Sequence, residues 1–257
     1  MLDLSPAFTY GFLLILIRTS GMLVSAPLLG HKGIPAWTKV GFAVFFALVL
    51  VPLQKDQLPA PPQQIGQVAD AVIRETLFGL ALGLAMNLVF IGMQMASRIV
   101  GLQMGFGMGS VIDPITGAEF GTFDQFYALL ATLIFFSING HHLIIQTLAE
   151  TIRAVPPGSF DPLTMNASAV APLAAGLMVT AVRIAMPVMG ALFLTDLGMG
   201  FVARTVPQMN VLVVGMPVKI VVGMIVVGAA LPATMQLMNG VINGTLTGSS
   251  QQLLGVR

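Results

Sequence analysis

Charges stand inside long apolar runs of this chain, and the first candidates for chemistry among them are Arg18, Glu75, Arg98, Arg183 and Asp196. A charge near the centre of a bilayer costs about 2.5–3.5 kcal/mol even on an insertion scale, so each must pair, line water or sit in a protein interior. In a secondary transporter such groups would relay protons or ions. As structural elements they would form buried ion pairs or fix helix packing between subunits. No single helix gathers a relay-like row of carboxylates, which favours the structural role. Asp196 and Arg204 fall about two turns apart on one helix face, too far to touch, so their partners come from elsewhere.

Other reactive residues give weaker signals. His141 and His142 are adjacent, and neighbours on a helix point about 100° apart, so one ion is poorly served by both. No His-Glu-x-x-His motif accompanies them, and a polar helix start at a membrane boundary accounts for the pair. No Gly-x-Ser-x-Gly elbow marks a nucleophile. The chain has no cysteine, which excludes disulfides and thiolate chemistry. The expectation is a protein with no catalytic residue, no cofactor and no metal.

The elements that hold these charges follow from composition. The 257 residues are 56% hydrophobic and 8% charged, with mean hydropathy +0.92. A soluble domain carries roughly a quarter charged residues, so this chain could not cover a water-facing surface. A net charge of +1 leaves no basic stripe for nucleic acid. Apolar stretches cover residues 8–29, 34–51, 72–104, 123–138, 167–202 and 211–238. With about 20 residues needed per span, they predict six. The first run exceeds a signal-peptide core and is expected to be a retained span. The runs are continuous rather than alternating, which predicts helices and not a barrel.

Prolines and glycines punctuate these runs. Pro52, Pro59, Pro61 and Pro62 lie among glutamines in one exposed break, and Pro156-Pro157-Gly158 to Pro162 forms a second. Pro187, Pro217 and Pro232 fall inside apolar runs, where each is expected to bend its helix. Basic residues mark two loops, with Lys32 and Lys39 in one and Arg204 and Lys219 in the other. Both loops are therefore expected to be cytoplasmic. Glu75, Gly79, Gly83 and Asn87 recur at every fourth position and share one helix face. Gly79-x-x-x-Gly83 and Gly101-x-x-x-Gly105 suit close helix approach. Gly105-Phe106-Gly107-Met108-Gly109-Ser110 suits neither helix nor strand. It continues through Asp113-Pro114 to Gly121, longer than most interhelical turns, with apolar side chains fit for insertion into a cavity.

These motifs, in order, resemble the FliR/SctT family of flagellar and injectisome export-gate components over nearly the full length. The matching residues begin with Arg18, Pro27 and Glu75 with its glycines. Gly101-Leu102-Gln103-Met104-Gly105-Phe106 follows, leading to Asp113-Pro114 and then Asn139-Gly140-His141-His142. Arg183-Ile184-Ala185-Met186-Pro187 precedes the strongest block, Asp196-Leu197-Gly198-Met199-Gly200 to Arg204. Pro207-Gln208-Met209-Asn210 and Gly215-Met216-Pro217-Val218-Lys219 close the set.

The resemblance implies an all-α integral membrane protein of long kinked hairpins, with a FliP-like part (residues 1–165) fused to a FliQ-like part (residues 166–257). It implies assembly with FliP and FliQ, contact with FlhB, and a conduit for unfolded flagellar export substrates. The implied place is the bacterial inner membrane at the flagellar basal body, with the assembled core raised toward the periplasm. Residues 105–121 take the place of the family's plug, which assigns gating to Gly105, Phe106, Gly107, Met108, Gly109, Asp113 and Pro114. Arg18, Glu75, Gly79, Gly83, Arg98, Arg183, Asp196, Arg204 and Lys219 are assigned to structural charge and packing. The competing reading is a stand-alone secondary transporter or channel using its intramembrane charges. Such a protein should show two similar halves, and no clear internal repeat is present.

Overall fold

Local chemistry sets the helix starts. Pro6 follows Ser5, whose Oγ accepts from the Phe8 N–H at 3.3 Å, and together they open α1 (Pro6–Ser25). An N-terminal proline loses no helical hydrogen bond, and a serine cap satisfies an orphan donor. Six further helices follow in a computed structural model that describes residues 5–30, 33–106, 122–162, 170–208 and 210–253. They are α2 (Ala36–Leu50), α3 (Ile65–Met104), α4 (Thr122–Ser137), α5 (Gly140–Ala154), α6 (Val170–Thr205) and α7 (Val211–Leu253). A 3₁₀ segment, Val51–Gln57, continues α2. Among the described residues there is no strand.

The protein is an all-α, multi-pass membrane protein. Five helical segments are long and apolar enough to cross a bilayer, and α4 with α5 makes a sixth if the two act as one broken span. The short run at 123–138 thus finds its complement in α5. Between them Asn139 takes a left-handed conformation (φ 56°, ψ 34°), which asparagine tolerates better than most residues.

The chain divides into two compact units that interleave along the sequence. One comprises Met1–Leu88, Asn139–Ala171 and Ile242–Arg257, and the other Val89–Ile138 and Pro172–Val241. In the first unit, α1 buries Leu14, Ile15, Arg18 and Met22, and α5 buries Ile144, Thr147, Leu148, Thr151 and Ile152. Those spacings of three and four place each set on one helix face. In the second unit Phe90 meets Phe135 edge-on at 5.4 Å, and Met93, Ile184, Val188, Leu192 and Val227 are buried. Pro187 lies within α6, and Pro217 and Pro232 within α7.

Candidate functional site

In the first unit the period-four face of α3 packs on α1. A Cβ added at Gly79 would overlap the Arg18 carbonyl oxygen and lie 3.0 Å from the Met22 nitrogen. At Gly83 it would overlap Ser25 Oγ and the Met22 carbonyl, and at Gly21 it would lie 3.0 Å from the Thr76 carbonyl. Glycines from both helices therefore bring the two backbones together, and Ser25 Oγ donates to the Leu80 carbonyl at 3.0 Å across the seam.

One turn before Gly79 on this face, Glu75 receives Arg18. Arg18 Nε donates to Oε2 at 2.5 Å and Nη2 to Oε1 at 2.9 Å, with both side chains wholly buried. Two parallel bonds use the planar fork that only arginine offers. The remaining Arg18 donor, Nη1, reaches the Val155 carbonyl at 2.8 Å and the Thr151 carbonyl at 3.4 Å. The Val155 carbonyl, at the C-cap of α5, has no helical partner, while the Thr151 carbonyl also accepts the Val155 N–H at 2.9 Å. Carbonyls at a helix C-terminus carry partial negative charge, which suits a cation. The Arg18 guanidinium carbon also lies 4.5 Å from the centroid of Phe78, whose ring packs on Phe160 at 4.6 Å.

The carboxylate side is completed by a turn. The Ser159 N–H donates to the Pro156 carbonyl at 3.1 Å, and Gly158, with φ +82°, sits where a type II turn after Pro157 requires a positive φ. This turn aims the Gly158 N–H at Glu75 Oε1, 2.7 Å away. From the sequence, Pro156-Pro157-Gly158 is expected only to form part of an exposed break. The Pro-Gly dipeptide was the available signal for a turn, but its carboxylate partner lies 83 residues earlier. Arg74, next to Glu75, is part-exposed and pairs with Asp70 at 2.7 Å and Asp161 at 3.5 Å.

The second unit holds the remaining charges. Asp196 Oδ1 meets Lys219 Nζ at 2.5 Å, linking α6 to α7. The pair is not buried as a structural charge was expected to be: the aspartate side chain is 49% exposed. An exposed pair contributes about 0–1 kcal/mol, so Asp196→Asn should lower the Tm of the detergent-extracted chain only slightly. A large drop would show that the pair is far less exposed than its geometry implies. Arg183 and Arg204 lie exposed on α6, and Arg98 is exposed on α3.

The assigned plug falls mostly outside the described residues, since Gly107, Met108, Gly109, Asp113 and Pro114 are not among them. Its two ends are described. Gly105 (φ +93°) terminates α3, with its N–H on the Leu102 carbonyl at 3.2 Å and the Phe106 N–H on the Gly101 carbonyl at 2.9 Å. Those two bonds with a left-handed glycine make a Schellman cap. Gly105 is thus a helix stop, while Gly101 provides a seat for an aromatic ring. A Cβ at Gly101 would stand 3.2 Å from Phe123 Cδ1. Phe123 in turn stacks on Phe106 at 5.2 Å, and Ser97 Oγ hydrogen-bonds Asp124. Residues on either side of segment 107–121 are therefore held together. Among the described residues no cluster of three metal-ligating side chains occurs.

This arrangement defines a membrane protein whose wholly buried charges among the described residues, Arg18 and Glu75, hold helices to one another. A family model described as bacterial export proteins, family 1, matches residues 9–245, and the chain belongs to this FliR/SctT family. It is 36% identical over 233 residues to the flagellar biosynthetic protein FliR of Bacillus subtilis (strain 168), covering 88% of this chain and 86% of that one. Similarity to the FliR of Pectobacterium carotovorum subsp. carotovorum is 30% over 219 residues, 84% and 82% of the two chains. For Escherichia coli (strain K12) FliR it is 28% over 220 residues, 84% and 82%. The chain is accordingly a component of flagellar, type III protein export, in a family of structural export-apparatus components.

Proposed function

We propose that this chain is a wall and gating subunit of the export conduit, assembling with FliP and FliQ, contacting FlhB, and passing unfolded flagellar substrates across the bacterial inner membrane at the basal body. On this reading residues 1–165 play the FliP-like part and 166–257 the FliQ-like part, and the assembled core is raised toward the periplasm. The chain performs no catalysis, so its charges work through packing. Segment 105–121 closes the conduit at rest, with Phe106 and Met108 supplying apolar surface and the glycines supplying a backbone that fits a narrow space. Methionine is unbranched and deformable, suited to sealing against irregular neighbours.

The observation that supports this reading most is the anchoring of that segment. Its flanks are tied by the Gly105 cap, the Phe106–Phe123 stack and the Ser97–Asp124 bond. Ties of this kind would leave α3 and α4 in place when the conduit opens.

Shortening the segment within residues 107–112 tests the reading. The shortened chain should assemble normally but make cells expressing the whole gate leak small ions, measured as conductance or solute efflux. Assembly with no more leakage than the parent would reduce the segment to a connector.

A further inference from the structure

We infer that the face of α6 centred on Arg183 is a docking surface for an apolar helix of a different chain, one that carries a carboxylate level with Arg183. The inference rests on the proposed membership of a multi-chain assembly and adds the place and the chemistry of one of its interfaces.

Arg183 is the only charged residue between Asp161 and Asp196. It stands 13 residues from Val170, where α6 begins, and 13 residues from Asp196, about 20 Å of helix on each side. Its side chain is exposed and has no hydrogen bond or ion pair among the described residues. A lipid-facing arginine escapes hydrocarbon by stretching its stem to the headgroups, and that stem falls well short of 20 Å. An acyl chain offers nothing to a guanidinium, and the large apolar side chains around Arg183 do not suit a water-lined wall, so the group that covers this face must bring negative charge.

The neighbours of Arg183 suit a helix as that group. Val179, Met186 and Phe193 follow one another at intervals of seven, and are 48%, 58% and 60% exposed. Gly176 and Gly190 lie seven residues before and after Arg183, and nothing stands within 4 Å of where their Cβ atoms would be. A recurrence of seven keeps one seam facing a partner helix over several turns. Large apolar side chains beside open glycines give that seam knobs and recesses. A lone charge at one seam position also fixes the register of the pairing, the best-attested use of a buried polar group between helices.

A second copy of this chain is the poorer occupant. The carboxylates within its apolar runs are engaged: Glu75 by Arg18, Asp124 by Ser97 and Asp196 by Lys219, and Glu150 lies on the polar α5, outside those runs. The carboxylate should therefore come from another protein.

The test uses the full chain in cells that also express its neighbouring export components. A photo-crosslinking amino acid replaces Met186 or Phe193 with Arg183 left intact, and Arg183→Glu and Arg183→Lys are made separately. Adducts to one distinct protein are expected from both positions. Arg183→Glu should reduce that species and the recovered complex at least about tenfold, with the chain's own membrane level unchanged. Arg183→Lys should reduce them less, and reversing the facing carboxylate to lysine should restore the Arg183→Glu variant. Adducts to lipid only, adducts to a second copy of this chain, or normal complex recovery from Arg183→Glu would each overturn the inference while leaving the assembly reading in place. If no other protein accompanies even the parent chain, the assembly reading fails first and this inference with it.

Discussion

Glu75→Ala should remove most of the folded chain from the membrane. The substitution strands the Arg18 guanidinium in a wholly buried site, with only the Val155 and Thr151 carbonyls left to receive it. Breaking one side of a buried pair costs about 3–5 kcal/mol, a large share of the 5–15 kcal/mol by which domains are typically stable. Arg18→Lys should also be damaging, because an ammonium cannot make two parallel bonds to a carboxylate while reaching a carbonyl on the far side. The informative variant exchanges the two residues. Arg18→Glu with Glu75→Arg keeps both charges, yet would set a carboxylate against the Val155 carbonyl and a guanidinium against the Gly158 N–H. The surroundings are matched to one orientation, so the exchange should not rescue. Monodisperse yield after detergent extraction, with Tm of whatever is recovered, measures all three variants. Parent-like values for Glu75→Ala, or full rescue by the exchange, would mean that the pair is incidental.

A single methyl group at residue 79 should have an effect of similar size. Gly79→Ala places a carbon where the Arg18 carbonyl oxygen already stands, and backbone atoms cannot rotate aside as a side chain can. Overpacking typically costs about 1–3 kcal/mol, and here the displaced backbone belongs to Arg18, so the strain carries into the ion pair. The Gly79→Leu, Gly83→Leu double variant should be recovered in still smaller amount. Gly41→Ala in α2, where nothing lies within 4 Å, is the control. It should be neutral or stabilising by up to about 1 kcal/mol through helix propensity. Thermal unfolding of the three proteins in one detergent gives the comparison, and equal loss at residues 41 and 79 would refute the close-approach account.

Much of this fold is legible in the sequence because the bilayer imposes length and apolarity together. The apolar runs become helices α1, α2, α3, α4, α6 and α7, and the period of four from Glu75 to Gly83 marks the face of α3 that meets α1. Helix ends are harder to place where polar residues continue a helix past its apolar run. Gln67 and Asp70 lie in α3 before the run that starts at 72, and α7 extends beyond residue 238 to Leu253. α5 has a mixed composition and reads as a helix only through its buried period. Pairings are harder still. Nothing local to Arg18 points to a carboxylate 57 residues away, or nothing near Asp196 to Lys219 across a hairpin. Which charges meet is decided by topology, while which charges need to meet is decided by their apolar surroundings.

The spacing of the Arg18 ligands also sets a timetable for biosynthesis. Glu75 follows Arg18 by 57 residues and Val155 by 137. At about 5–20 residues per second, the ribosome delivers the first roughly 3–11 s after Arg18 and the second roughly 7–27 s after it. For that interval α1 carries a cation whose final surroundings do not yet exist. Lateral release of α1 into lipid as soon as it is made would be unfavourable, and its retention at the insertion site until α3 arrives would be favoured. Even then Glu75 lacks the Gly158 N–H until the turn after α5 has been synthesised. The first helix is thus among the last to reach its final environment, and nascent chains halted between residues 75 and 155 should keep α1 accessible to the insertion machinery.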